Sequence, residues 1–284
     1  MTEQLEKISS QIMQEFAAGS LIIPSLPEVI SRIQQAISDK KRGTQQIAKL
    51  IQLDPALTAR LIQIANSPTY RGAFPIETCQ MAITRLGLRT TRNLVTCLVM
   101  HNVFNASTAV AHKHIRELWK HSCRVAAIAC VVAQINKGLL DPDKALLAGL
   151  VHDIGVLPVL SYLSDYPELF KQPDLVEALI ARLRGKLGEE ILRQWQFDPE
   201  LSNVPQEAEN WHYAGNERLD YVDVVIIAQI HSAFGAETHA DLPVLNDLPS
   251  FAKTSLSRLG PEASVELLHA AQGEIRDMVQ MLLG

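Results

Sequence analysis

The segment "DPALTARLIQIANSPTY", residues 54–70, decides how the chain is read. Asp54 offers a carboxylate to the open amide groups of a helix start, and Pro55, which has no amide hydrogen to satisfy, fits the first turn. Leu57, Leu61, Ile62 and Ala65 then recur on one helical face, and Ser67-Pro68 ends the run. The same grammar precedes it: Pro27 stands before Val29, Ile30 and Ile33, and Thr44 before Ile47, Leu50 and Ile51. No stretch alternates apolar and polar residues into a hairpin turn, so the expected fold class is all-α.

Working outward, "ANSPTYRGAFPIET" (65–78) holds two prolines and a glycine and reads as a loop. Periodicity predicts helices over about 77–86, 90–104, 113–136, 142–161, 174–196 and 222–235. A polar stretch near 105–112 reads as a linker. It divides the chain into an N-terminal helical bundle, residues 1–108, and a second helical unit, residues 109–284. The last segment, "PEASVELLHAAQGEIRDMVQMLL" (261–283), aligns Val265, Leu268, Ala271, Ile275, Met278 and Leu282 in one apolar stripe. Such a stripe packs on the body of the protein, and a terminal helix of this kind can also form a homodimer contact.

Hydrophobic residues make up 47% of the 284 positions and aromatics only 5%, so the core is built of Leu, Ile, Val and Ala, which suits packed helices. The net charge of -5 leaves no global positive field for nucleic acid, which is not expected as a partner. Arg85, Arg89 and Arg92 in "ITRLGLRTTRNLV" (83–95) superficially suggest a helix-turn-helix, but three arginines do not make the broad basic footprint of a DNA binder. The four cysteines contain no C-x-x-C pair and read as reduced thiols, so the expected location is cytoplasmic. The N-terminus reads as an amphipathic helix with Leu5, Ile8, Ile12 and Phe16 on one face, not as a secretory signal. Apolar runs such as "VAAIACVVA" (125–133) fall short of the roughly 20 residues that cross a bilayer, so no membrane association is expected.

The chemistry concentrates in "LLAGLVHDIGVLPVL" (146–160), where His152 and Asp153 stand side by side in what reads as an apolar helix. Ionisable groups in such a setting need a partner or a metal. His121, in "ELWKHSCRVAAIA" (117–129), opens a second apolar helix. Two imidazoles and a carboxylate from neighbouring helices can hold a divalent cation with positions left for water, whose pKa the cation lowers. The alternative is that His152 donates to a carbonyl while Asp153 caps or pairs locally. His101, His112 and His114 match no tight ligand spacing, and no serine or cysteine stands beside a base that would activate it.

"LIIPSLPEVISRIQQAI" (21–37), "IAKLIQLDPALTARLIQIANSPTYRGAFPIETCQMAITRLGLRTTRNLV" (47–95), "LWKHSCRVAAIA", "KALLAGLVHDIGVL" and "LGEEILRQWQF" together closely resemble, in this order, HDOD domains, the HD-related output domains of bacterial signalling proteins. The resemblance runs from about residue 20 to 235. It implies an N-terminal helical bundle followed by a helical unit similar to the HD metal-dependent phosphohydrolases. Their metal set, a histidine, a His-Asp pair and a later aspartate, maps to His121, His152 and Asp153, while the late aspartate falls on Ser232 in "VDVVIIAQIHSAFG" (222–235) beside His231. A serine cannot replace a carboxylate's charge. Where relatives often begin "LRGKLGEEILRQW" (183–195) with histidine, this chain has Arg184, a fixed charge that repels a cation. "ENWHYAG" (209–215) keeps only His212. The resemblance thus implies a signalling module with a degraded metal site, non-catalytic and acting through a partner protein or a small regulatory ligand. The alternative is a phosphohydrolase of nucleotides or other phosphoesters. In that case Mn, Mg, Fe or Zn would sit at partial occupancy on His121, His152 and Asp153, with Asp153 assisting water deprotonation.

Overall fold

The structure is a computed structural model describing residues 2–21, 26–38, 44–105, 111–233, 242–258 and 260–283. Among them no strand occurs, and the fold is all-α. The helices are α1 (Thr2–Ala17), α2 (Glu28–Ser38), α3 (Thr44–Ile51), α4 (Pro55–Ala65), α5 (Cys79–Leu86), α6 (Leu88–Asn105), α7 (His112–Ile135), α8 (Pro142–Val151), α9 (Val156–Ser164), α10 (Pro173–Gln194), the single turns α11 (Pro199–Ser202) and α12 (Val204–Glu207), α13 (Tyr221–Ala233), the turn α14 (Pro249–Ala252), α15 (Pro261–Ala270) and α16 (Gln272–Leu283).

The starts follow from local chemistry. Asp54 Oδ1 accepts from the Leu57 amide at 3.0 Å, and Asp141 accepts from the Asp143 and Lys144 amides, each ahead of a proline in the first turn. The expected boundary between residues 108 and 109 lies outside the described residues. One apolar cluster runs from Ile8 and Ile12 in α1 to Leu282 in α16, with α7 and α8 at its centre against α6, α13 and α16. The two central helices meet closely at Gly149 on α8, where a Cβ would stand 2.6 Å from the Ala126 Cα of α7. Helix α1 packs on α9 and α10, fastened by a two-pronged ion pair of Arg182 to Glu6 at 2.8 Å on each arm.

Two expectations are corrected. The helix expected over 142–161 is two helices, α8 and α9, with His152–Gly155 forming the turn between them. The apolar run hides the break, because residues on both sides of it are buried. The C-terminal stripe is likewise divided at Ala271, and Val265 is exposed while Leu268, Met278 and Leu282 are buried. The segment Pro142–Ser164 is long and apolar enough to cross a membrane by length and composition, with mean hydropathy 1.7, but 94% of that window is buried inside the protein. The four cysteines are buried and free.

Candidate functional site

The turn between α8 and α9 carries His152 and Asp153, and the first half of α7 carries His121. The turn reaches its place because Gly155 has no side chain: a Cβ there would stand 1.9 Å from the Arg184 carbonyl oxygen of α10 and 2.5 Å from the Gly188 amide nitrogen. The same contact brings the Arg184 side chain onto Asp153.

The structure brings His121, His152 and Asp153 together, with one ligand atom from each within 4.8 Å of the others. His152 Nε2 lies 3.3 Å and His121 Nε2 3.8 Å from Asp153 Oδ2, and the two rings have centroids 5.2 Å apart. His152 Nδ1 donates to the Gly149 carbonyl at 2.7 Å, which fixes the tautomer of the neutral ring and leaves its Nε2 as a lone pair. That Nε2 is buried without a hydrogen-bond partner. Asp153 Oδ1 accepts from Arg184 Nη1 at 2.9 Å, and Arg184 Nη2 pairs with Glu209.

Burial raises the Asp153 carboxyl, but His152, Arg184 and His121 outweigh it and hold it well below the usual carboxylate range. Partial burial, then the neighbouring His152, push His121 down to about 4 in spite of Asp153. Burial also lowers Arg184, against the pull of Asp153.

A divalent cation would find both support and opposition at this donor set. The orphaned lone pair of His152 favours one. Three features oppose it. The Asp153 carboxylate is already engaged by the Arg184 guanidinium, a fixed positive charge beside the donors that a dication would have to face. The 3.8 Å between His121 and Asp153 exceeds the roughly 3.0–3.4 Å between neighbouring donors that bonds of about 2.1 Å produce. Ser232 spends its hydroxyl on the Gln229 carbonyl at 2.8 Å within its own helix. These features weigh against a catalytic metal at the three residues.

The remaining sequence candidates disperse. His231, pushed down to about 4 by burial, lies 3.2 Å from the Ser264 hydroxyl. The carboxylate that α13 does carry, Asp223, is paired with Lys253 at 2.8 Å. His212 is exposed; His101 packs edge-on against Trp119 and His114 stacks on Phe170. Arg85 donates to the Phe74 and Ala65 carbonyls and Arg89 pairs with Asp141, so the three arginines form no common face for phosphate. Sequence reasoning missed Glu209, although it begins the stretch inspected for His212; its pairing with Arg184 is a contact across 25 residues that no local pattern signals.

The HDOD domain matches residues 23–211. A solved structure from Shewanella amazonensis SB2B, described as a presumed metal-dependent phosphohydrolase, is 28% identical and aligns over 98% of this chain and 99% of its own with a TM-score of 0.80. One from Marinobacter aquaeolei VT8, described as a presumed signal transduction protein, is 19% identical over 94% of this chain and 61% of its own, TM-score 0.66. A curated relative from Treponema pallidum (strain Nichols), described as uncharacterized, is 23% identical over 229 residues, 75% of this chain and 42% of the relative, so the chain spans less than half the length of the curated relative it matches. With that domain matched over more than half of the sequence, on a helical fold shared along almost the whole length of the Shewanella protein, the chain belongs to the HDOD family.

Proposed function

We propose that this chain is a signalling HDOD module without hydrolytic activity, in which Arg184 supplies from within the protein the positive charge that a metal would bring. The observation that carries the reading is the Arg184 guanidinium 2.9 Å from Asp153 Oδ1, beside the two histidines. Such a centre ties the α8–α9 turn to α10 and, through Glu209, to the segment after α12, so it transmits packing rather than activating water. The module acts by binding a partner protein or a small regulatory ligand, in the cytoplasm, where buried free thiols persist. Similarity to a protein described as acting in signal transduction supports the reading.

The second reading, a metal-dependent phosphohydrolase using His121, His152 and Asp153, is favoured by the orphaned His152 Nε2 and by the description of the Shewanella protein. Purified protein incubated with Mn²⁺ or Mg²⁺ and generic phosphoesters, nucleotides or cyclic dinucleotides separates the two. No turnover is expected. Turnover that vanishes in a folded His152→Ala variant overturns the signalling-only reading.

A further inference from the structure

A cavity of about 420 Å³ lies away from the histidines, between α2 and α6 on one side and the end of α10 with the middle of α8 on the other. Its wall carries unusual chemistry. Arg92 lines it and has no carboxylate partner among the described residues. Asn93, 2% exposed, lines it too, and its Nδ2 is buried without an acceptor. An amide left so costs about 1–3 kcal/mol unless something else satisfies it. Trp195 and Phe197, with ring centroids 6.2 Å apart, form one end. The carboxylate in the wall, Asp198, is tied to Lys144 at 3.0 Å and does not neutralise Arg92.

Between the two aromatic residues stands Gln196, at φ 58° the only non-glycine residue with positive φ among those described. The backbone reason is ordinary: α10 ends with the Phe197 amide donating to the Leu192 carbonyl at 3.0 Å and the Gln196 amide to the Arg193 carbonyl at 2.9 Å, a close that needs a left-handed residue. Glycine is the default there, and a side chain costs about 1 kcal/mol. The chain bears that strain at a residue that lines the cavity.

We propose that this cavity binds a nucleotide-sized ligand with a planar heteroaromatic base and an anionic group. The aromatic end offers the base a face, Asn93, Gln35 and Gln196 offer amides that both donate and accept along its edge, and Arg92 takes the phosphate. The volume lies within the range of small-molecule pockets, about 300–1,000 Å³. An occupant touches α2 and α6 together with α8 and α10, so it would couple the first half of the chain to the turn that carries His152. The site gives the signalling reading its ligand, yet it stands on residues outside the His-Asp centre.

The test is calorimetric titration of the full chain with AMP, GMP, UMP and inorganic phosphate, alongside thermal melting. Binding of at least one nucleotide is expected, weakened about tenfold or more by Arg92→Ala. Gln196→Gly is the sharper variant: it relieves the backbone, so it should melt at a higher temperature while binding more weakly. A purely structural Gln196 would give the first change without the second. The proposal is overturned by no nucleotide binding at millimolar concentration, by binding indifferent to both variants, or by phosphate alone binding as well as any nucleotide. Binding without turnover supports this site and the signalling reading together. Turnover lost with His152→Ala sinks that reading and leaves the cavity untouched, whereas absent binding sinks the cavity alone.

Discussion

Asp153 has an arginine on Oδ1 and two imidazole nitrogens facing Oδ2, and the guanidinium favours its ionised form whichever way the rings are protonated. Removing the guanidinium therefore leaves a buried charge with weaker partners. Arg184→Met should destabilise the protein by about 3 kcal/mol, measured as a lower urea midpoint at an unchanged slope. His231 supplies a pH handle. Burial holds it at about 4, whereas the unfolded imidazole titrates near ~6.5. Between those values the unfolded chain binds more protons, so this contribution is complete above about pH 6.5 and is lost as the pH falls toward 4. His231→Gln should flatten the stability profile in that window by up to about 1.4 kcal/mol per pH unit; a slope equal to that of wild type there excludes His231 as the cause. What was legible at this scale was the identity of His121, His152 and Asp153 as a group. That Arg184 and Glu209 complete it was legible only in part, since Arg184 stood out as a departure but its ion pairs join residues far apart in sequence.

Elements were legible where their caps are local. The starts at Thr44, Pro55 and Pro142 follow from one or two residues each and fall where expected. The break after Val151 does not, because it answers to α10: the turn must come close enough for Gly155 to touch the Arg184 carbonyl. Gly155→Ala forces backbone apart and should cost about 3 kcal/mol, with loss of the α9–α10 packing. A second joint between elements is the hydrogen bond from the Tyr70 hydroxyl, in the loop after α4, to Asp143 in the first turn of α8, whose carboxyl burial pushes up. Tyr70→Phe removes the donor and leaves a buried carboxylate short of a partner. A loss of about 1.5–3 kcal/mol is expected by chemical denaturation, and a change under about 0.5 kcal/mol would show the joint to be idle.

Across the whole molecule the apolar cluster is continuous from α1 to α16, and α1 itself packs on α9 and α10. A continuous core predicts one cooperative unfolding transition, with far-ultraviolet circular dichroism and tryptophan fluorescence coincident in urea. Two separated transitions would show halves that fold independently. The central proposal concerns charge at one place: an internal arginine pairs with the carboxylate that a metal would need. Titrating Mn²⁺ into the purified wild-type chain, beside the Arg184→His/Ser232→Asp double variant, tests it most directly. The account predicts no stoichiometric uptake by wild type and a gain of binding in the double variant; one Mn²⁺ bound per wild-type chain and released by His152→Ala would contradict it.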